Sequence, residues 1–397
     1  MPWKETKPME ERMEFMVLRE SGSWSMSDLC EMFGVSRKTG YKWLRRYEEG
    51  GVESLRELSR APCHHPNAVA EEIEAAVVAL KQQRPKRGPK KLLELLQRRE
   101  PERIWPARST LAAILKRHGL VRARGRSRKA PPYEHPFARL DRPNAVWSAD
   151  LKGWFQTGDG RRCDPLTITD NFSRYLLRCQ AVEAPSFESI QPVFVGAFHE
   201  YGLPQAIRTD NGPPFASTTV GGLSRLSIWW LKLGITPERI EPGKPAQNGR
   251  HERMHRTLKD EAISPPEANR RRQQVAFDTF RQEFNHQRPH EALGQRFPDE
   301  LYVPSPRPYP LVTPPMTYPD DMKVHRVKTQ GDISWKDHHV YLTATLAGEL
   351  VGLRQTDDNL WDIYFGPIRL AQLDTVCKRL VHLPRKKRGK NLKRKTE

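Results

Sequence analysis

Three carboxylates stand in contexts suited to holding metal ions: Asp150, Asp210 and Glu252. Asp150 closes the apolar, strand-like run Ala145-Val146-Trp147-Ser148-Ala149-Asp150-Leu151. Asp210 follows Gln205-Ala206-Ile207-Arg208-Thr209 and is capped by the tight turn Asn211-Gly212. Glu252 lies near the start of Gly249-Arg250-His251-Glu252-Arg253-Met254-His255-Arg256-Thr257-Leu258-Lys259, which reads as a basic helix. Hard Mg²⁺ prefers carboxylate oxygens, keeps several waters and takes further ligands from substrate phosphate. Two such ions can activate an attacking oxygen and stabilise a leaving one in phosphoryl transfer. The three acids therefore point to an enzyme that cuts nucleic acid. Asp-Asn-Gly alone is a common turn sequence and Asp150 alone is ordinary, so the weight rests on their combination.

The same helix offers a competing chemistry. His251-Glu252-Arg253-Met254-His255 fits His-Glu-x-x-His, in which two histidines on one helical face bind Zn²⁺ and the glutamate acts as base. A protease of that kind needs a third ligand and a substrate cleft, and the sequence signals neither. A third reading is a DNA-binding regulator that keeps the fold without the reaction.

Composition favours a nucleic-acid partner. The 397 residues hold 67 Lys and Arg against 48 Asp and Glu, a formal charge of +19. Each phosphate that such a chain neutralises releases condensed counterions. Five scattered cysteines form neither a Cys-x-x-Cys pair nor a finger spacing, so a reducing compartment is expected, with no disulfide framework or structural zinc. Met1-Pro2-Trp3-Lys4-Glu5 lacks the apolar core of a signal peptide, and no run approaches ~18 apolar residues. The protein is expected to be cytoplasmic and nucleoid-associated, without contact to a membrane.

Several elements must position the acids. Residues 1–60 read as a helix-turn-helix domain: Ser27 caps a short helix, Gly34 turns the chain and Ser36 caps a second helix. Leu29, Phe33, Val35, Tyr41 and Leu44 are expected inside, with Arg37, Lys38, Lys42, Arg45 and Arg46 outside to meet DNA. Residues 67–121 read as a second helical DNA-binding domain, helix-turn-helix or winged, in which Ser109 caps the last helix and Gly119 ends it. A basic linker covers 122–139.

The next span, 140–303, alternates strands and helices as a mixed α/β sheet does: strands at 145–151, 165–170, 174–182 and 205–209, helices at 186–201, 219–234, 247–262 and 271–286. Pro304, Pro306, Pro308 and Pro310 mark 304–319 as a stiff linker. Short strands across 320–376 suggest a small β-barrel. The basic tail, 377–397, is expected to be disordered and to lie on nucleic acid.

Four segments carry a resemblance: Trp147-Ser148-Ala149-Asp150, Ile168 to Tyr175, Arg208-Thr209-Asp210-Asn211-Gly212, and Pro245-Ala246-Gln247-Asn248-Gly249-Arg250-His251-Glu252-Arg253 to Leu258-Lys259. They resemble the integrase core of bacterial insertion-sequence transposases, the DDE enzymes related to retroviral integrases. The resemblance implies an RNase H-like core in which Asp150, Asp210 and Glu252 bind two Mg²⁺ ions, with Mn²⁺ able to substitute. It also implies water attack at the transposon end to expose a 3′-OH, then in-line attack of that 3′-OH on target DNA. The partners implied are terminal inverted repeats, target DNA and further copies of the chain, as a dimer or tetramer on paired ends.

Lys244, Arg250, Arg253, Arg256 and Lys259 then become candidate phosphate contacts beside the metals, and Asp170 a turn-stabilising residue. The gap of 42 positions from Asp210 to Glu252 is longer than integrases usually show. The extra length is expected in a loop at Ser217–Ser224. Glu241 and Glu261 are poorer alternatives to Glu252.

Overall fold

A computed structural model describes residues 8–58, 68–121, 141–217, 219–240 and 249–381. The chain divides into two compact units, Met1–Ala70 and Glu71–Glu397.

In the first unit, α1 (Pro8–Glu20), α2 (Met26–Met32) and α3 (Arg37–Gly50) surround Phe15, Met16, Leu29, Cys30 and Trp43. The cap of α2 is Ser25 rather than Ser27. Its hydroxyl accepts from Asp28 N–H while the Asp28 carboxylate accepts from Ser25 N–H, a reciprocal pair that needs three-residue spacing. Ser36 caps α3 as expected, accepting from Thr39 N–H at 3.2 Å. A Cβ on Gly40 would lie 2.6 Å from Cys30 Sγ, so glycine there lets α3 approach α2 closely. Val35 and Tyr41, expected inside, are exposed, and Trp43 fills the core in their place.

The second unit begins with α4 (Glu71–Gln83), α5 (Pro89–Arg99) and α6 (Arg108–Arg117). Ala107 occupies the N-cap of α6 and Ser109 lies inside its first turn, while Gly119 ends it at φ 68°. No strand occurs among the described residues 68–121, which therefore form three helices without a wing. These helices are not a free-standing domain. Arg84 pairs with Glu283 at 2.6 Å and Lys90 with Glu291 at 2.6 Å. The buried Arg87 donates to Gln287 O at 2.5 Å, and Arg98 reaches Glu300 while covering the Phe297 ring.

The central sheet comprises β1 (Val146–Leu151), β2 (Phe155–Gln156), β3 (Arg162–Asp170), β4 (Leu176–Val182), β5 (Ala206–Thr209) and β6 (Thr236–Arg239). Its order is β4-β3-β1-β5-β6, with β2 pairing the start of β3. β4 and β1 each pair β3 antiparallel, and β5 and β6 add to β1 in parallel. One face carries Trp147, Ala149, Leu166, Ile168 and Ile207 against α7 (Phe187–Tyr201) and α8 (Arg225–Lys232). The other face meets α9 (Gly249–Leu258) and α10 (Arg270–His286) through Met254, Leu258, Phe277 and Phe280.

β6, which sequence reading did not anticipate, contains Pro237 and sits at the sheet edge, where a missing N–H is tolerated. The expected helix 219–234 is reduced to α8, because Gly221 and Gly222 both take φ 68°.

Residues 304–319 are a packed strap rather than a linker. Leu203 N–H donates to Arg307 O, Ser305 N–H donates to Tyr201 O, and Tyr309 meets Phe198 at a tilt and Trp229 edge-on. Beyond the strap, β7 (Lys323–Arg326), β8 (Asp332–Trp335), β9 (His338–Tyr341), β10 (Leu350–Asp357), β11 (Leu360–Phe365), β12 (Ile368–Asp374) and β13 (Arg379–Val381) follow. They form an open antiparallel sheet, β13-β12-β11-β10-β7, and a separate β8-β9 ribbon, where a barrel was expected. The start of the expected tail is thus paired as β13, while 382–397 and the linker 122–139 lie outside the described residues.

Phe198 is fully buried among aromatic rings of the central core. Phe198→Ala should cost about 3–5 kcal/mol and lower the thermal midpoint, by calorimetry. Val312→Ala, at an 80% exposed strap position, should change stability by less than about 0.5 kcal/mol.

Candidate catalytic and nucleic-acid site

Asp150 is the penultimate residue of β1, and the alternation of the strand separates its neighbours cleanly. Trp147 and Ala149 face α7, so Ser148 and Asp150 face α9. On β5, Ile207 faces α7 and Arg208 takes the opposite face, which Asp210 shares. The parallel pairing Val146↔Ala206, Trp147↔Ile207, Ser148↔Arg208 fixes the register. The pairing ends there, with Asp150 two residues further along β1 and Asp210 in the turn just past the end of β5.

Asp210 is held there by its turn. One carboxylate oxygen accepts from Gly212 N–H at 3.1 Å, and Asn211 Nδ2 donates to Ile240 O at 2.7 Å. A Cβ on Gly212 would lie 3.1 Å from the Asp210 carboxylate, so the fold-back leaves little room for a side chain. Arg208 is buried behind this turn with both Nε and Nη2 on Glu238.

Helix α9 lies over the same face, and its two histidines fix it there. His251 Nε2 and His255 Nε2 lie 2.8 and 2.7 Å from Thr167 Oγ, whose hydroxyl donates to Asp150 O at 3.1 Å. Thr167 is the β3 residue directly opposite Asp150. A hydroxyl has one proton and two lone pairs, so both imidazoles must donate through Nε2–H. Burial lowers the pKa of His251 to about 4. Burial, then His251 and Lys152, lower that of His255 to about 2. Both rings are therefore neutral near pH 7.

His255 Nδ1 faces Asp150 Oδ2 at 3.9 Å. One ligand atom each from Asp150, His251 and His255 fall within 4.8 Å of one another, so these residues could hold a metal ion. The zinc-protease reading fares poorly in this geometry. Both Nε2 atoms are committed to Thr167, and Glu252 is exposed rather than gathered with them.

Glu252 sits in the first turn of α9, one residue past His251. The 3.6-residue period puts Glu252, Arg256 and Lys259 on one exposed flank of that helix. Arg250, Arg253 and Thr257 fall on the other flank, where they line a cavity of about 470 Å³ together with Lys91 and Arg174. Sequence reading named Arg250 and Arg253 but not Lys91, Arg174, Thr167 or the role of the histidines. Only the His-Glu-x-x-His spacing signalled the last of these. Lys244 and Glu241 lie outside the described residues. Glu261 accepts from Arg288 at 2.7 Å and is occupied.

Asp170, as anticipated, braces a turn: it is fully buried, accepting from Asn144 N–H, Ser173 N–H and Ser173 Oγ. The insertion near 217–224 also has a use, since Gly221 packs against Leu370 of β12.

The carboxylates suit a hard divalent ion: Asp150 is 14% exposed, Asp210 spends one oxygen on its own turn, and Glu252 faces solvent. In the first unit Arg37, Lys38, Lys42 and Arg45 are exposed on α3, and Lys42 and Arg46 lie over the Trp43 ring. That is the arrangement of a recognition helix with a cationic outer face.

Comparison with known proteins agrees with this arrangement. Models of an integrase core domain match residues 141–245 and 233–298, and models of a homeodomain-like domain match 7–56 and 39–115. The insertion element IS407 uncharacterized 31.7 kDa protein of Burkholderia multivorans is 29% identical over 254 residues, covering 62% of this chain and 86% of that protein. The insertion element IS476 uncharacterized 39.2 kDa protein of Xanthomonas euvesicatoria is 28% identical over 248 residues, covering 60% of this chain and 67% of that protein. Among solved structures, the HTLV-2 integrase catalytic core domain in complex with magnesium (trimeric form) is 17% identical, covering 42% of this chain and 100% of that one, with a TM-score of 0.33. No helix among the described residues is long and apolar enough to cross a membrane.

Thr167→Val removes the hydroxyl and leaves two buried imidazole N–H groups without an acceptor. It should cost about 1–3 kcal/mol per stranded group in urea denaturation, whereas Thr167→Ser should stay near the wild type. Equal stabilities for Val and Ser would show that the hydroxyl does not tie α9 to the sheet.

Proposed function

We propose that this insertion-sequence transposase with an integrase-like core uses Asp150, Asp210 and Glu252 to hold two Mg²⁺ ions, cutting at transposon ends and joining the 3′-OH ends to target DNA. The observation that carries this reading is the β1–β5 register. Asp150 and Asp210 each follow its last pair, Ser148↔Arg208, by two residues, which supports a shared position on the side of the sheet that α9 crosses. The reaction class, DDE polynucleotidyl transfer, follows from the integrase core and the insertion-element relatives.

The chain's residues have separable tasks. Asp150 and Asp210 offer oxygens from a rigid sheet, and Glu252 offers its carboxylate from the exposed flank of α9. Bound ions would activate the attacking oxygen and stabilise the leaving one. Thr167, His251 and His255 fix the height of α9 above β1 and so the reach of Glu252. Arg256 and Lys259 on the Glu252 flank, with Lys244 upstream, meet phosphates beside the cut. Arg37, Lys38, Lys42, Arg45 and Arg46 on α3 read the terminal inverted repeat. Pairing two transposon ends takes two copies of the chain or more.

Asp150→Asn, Asp210→Asn and Glu252→Gln should each lower Mg²⁺-dependent end cleavage and strand transfer by at least ~10²-fold while leaving binding of end DNA intact. If the three variants still cut like the wild type in a gel assay, the assignment of the acids is wrong. Each of Lys38→Ala, Lys42→Ala and Arg45→Ala should reduce the slope of log K against log salt by about one. A slope that stays at the wild-type value would remove α3 from the DNA interface.

A further inference from the structure

Across α9 from Glu252 lies a cavity of about 470 Å³ that the catalytic acids do not enter. Five Lys and Arg side chains line it, Lys91 of α5, Arg174 of the β3–β4 turn, Arg250 and Arg253 of α9 and Arg288 beyond α10, with the imidazoles of His251 and His290 beside them. The acids in its wall are already engaged. Asp170 accepts from Asn144 and Ser173, and Glu291 accepts from Lys90. Glu261, just outside the wall, accepts from Arg288.

Lys91, Arg250 and Arg253 have no ion-pair partner among the described residues. Burial, then Arg288 and Arg87, lower the Lys91 pKa to about 7. Burial, with Arg250 and Arg253, lowers that of Arg174 to about 10. His290 Nε2 is buried without a hydrogen-bond partner. Cations crowded together against their own repulsion, with an unsatisfied ring nitrogen among them, describe a site built for an anion.

We propose that this composite cavity, walled by α5 on one side and the catalytic core on the other, seats the phosphodiester backbone of an unpaired DNA strand next to the cut. A space of that volume has no room for a double helix. Its floor includes Ser148, which precedes Asp150 by two residues on the same face of β1, roughly 7 Å along the strand. A strand lying here would run directly to the catalytic carboxylates. The proposal deepens the transposase reading and rests on it for the direction of the strand.

The test uses the full chain without divalent metal and measures the affinity of a short single-stranded oligonucleotide and of a blunt duplex over a range of salt. Lys91→Gln should weaken the single strand several-fold more than the duplex and lower its salt slope by about one. Lys91→Arg should restore both, and Lys86→Gln, an exposed charge outside the cavity, should leave the difference between strand and duplex unchanged. Melting curves identify any variant that fails to fold, in which case Arg253→Gln on the exposed helix flank replaces it with the same expectation. Inorganic phosphate should compete with the strand on the wild type and lose that competition on Lys91→Gln.

If Lys91→Gln and Arg253→Gln bind the single strand like the wild type, the proposal fails. It fails also if phosphate binds at the cavity but no strand displaces it, which would make this a small-anion site. End cleavage by the wild type, assayed separately with Mg²⁺, reports on the transposase reading alone. Its failure with single-strand binding intact would leave the cavity standing and remove the catalytic assignment.

Discussion

Thr167 Oγ accepts from two histidines of α9 and donates to the backbone of Asp150, so a single hydroxyl joins the strand that bears Asp150 to the helix that bears Glu252. The arrangement depends on burial. Both imidazoles are kept neutral because a charge in that position would be desolvated, and Thr167 can accept from a neutral Nε2–H. The pair of histidines that looks like a metalloprotease signature therefore has a mechanical use that any metal function would have to share. Helix α9 needs such an anchor. It carries one acid and three cations on its exposed faces, and only Met254 and Leu258 add apolar burial.

The same economy appears at α8. Leu226, Trp229, Trp230 and Leu233 point into the central core, whereas Ile228 and Leu231, with Leu223 just before, belong to the core under the C-terminal sheet. A helix apolar on two faces is a shared wall, and it fixes the C-terminal sheet to the catalytic one without a flexible joint. Lys232 adds an ion pair to Glu349 at 2.8 Å. The longer gap between Asp210 and Glu252 is spent here, because the Gly221-Gly222 turn that lengthens it lies on β12. Length added between Asp210 and Glu252 is tolerated when it packs elsewhere and leaves the turn after β5 and helix α9 in place.

Much of the catalytic core was legible because its determinants are local. The run Ala145 to Leu151 announces a strand, the Asp210-Asn211-Gly212 turn announces its own conformation, and the Gly249 to Lys259 period announces a helix. Features decided by distant partners were not legible. Thr236-Pro237-Glu238-Arg239 has no apolar alternation and becomes a strand only because β5 offers it an edge. The prolines from 304 to 310 suggested a spacer, yet Tyr302, Tyr309 and Arg307 anchor that segment to the core. The second trihelical unit looked independent, since ion pairs such as Arg84 with Glu283, some 200 residues apart, leave no trace in either stretch of sequence. Ser25 and Ser27 differ by two positions, and only the reciprocal bond with Asp28 distinguishes the cap from its neighbour.

Charge placement follows from the same geometry. A net charge of +19 distributed evenly would only make the chain stick to DNA, whereas a helix sorts its residues by angle. On α9 the inward stripe is apolar and imidazole, one flank holds Glu252 with Arg256 and Lys259, and the other holds Arg250 and Arg253. The first flank sets an acid among cations on an exposed face. The second has no acid on α9, and Lys91 of α5 raises its charge further because the trihelical unit is docked on the core. Docking thus does more than bury area. It adds a cation from the trihelical unit to a wall that also holds Ser148, two residues before Asp150 on β1, so that the two parts of the chain share one basic surface.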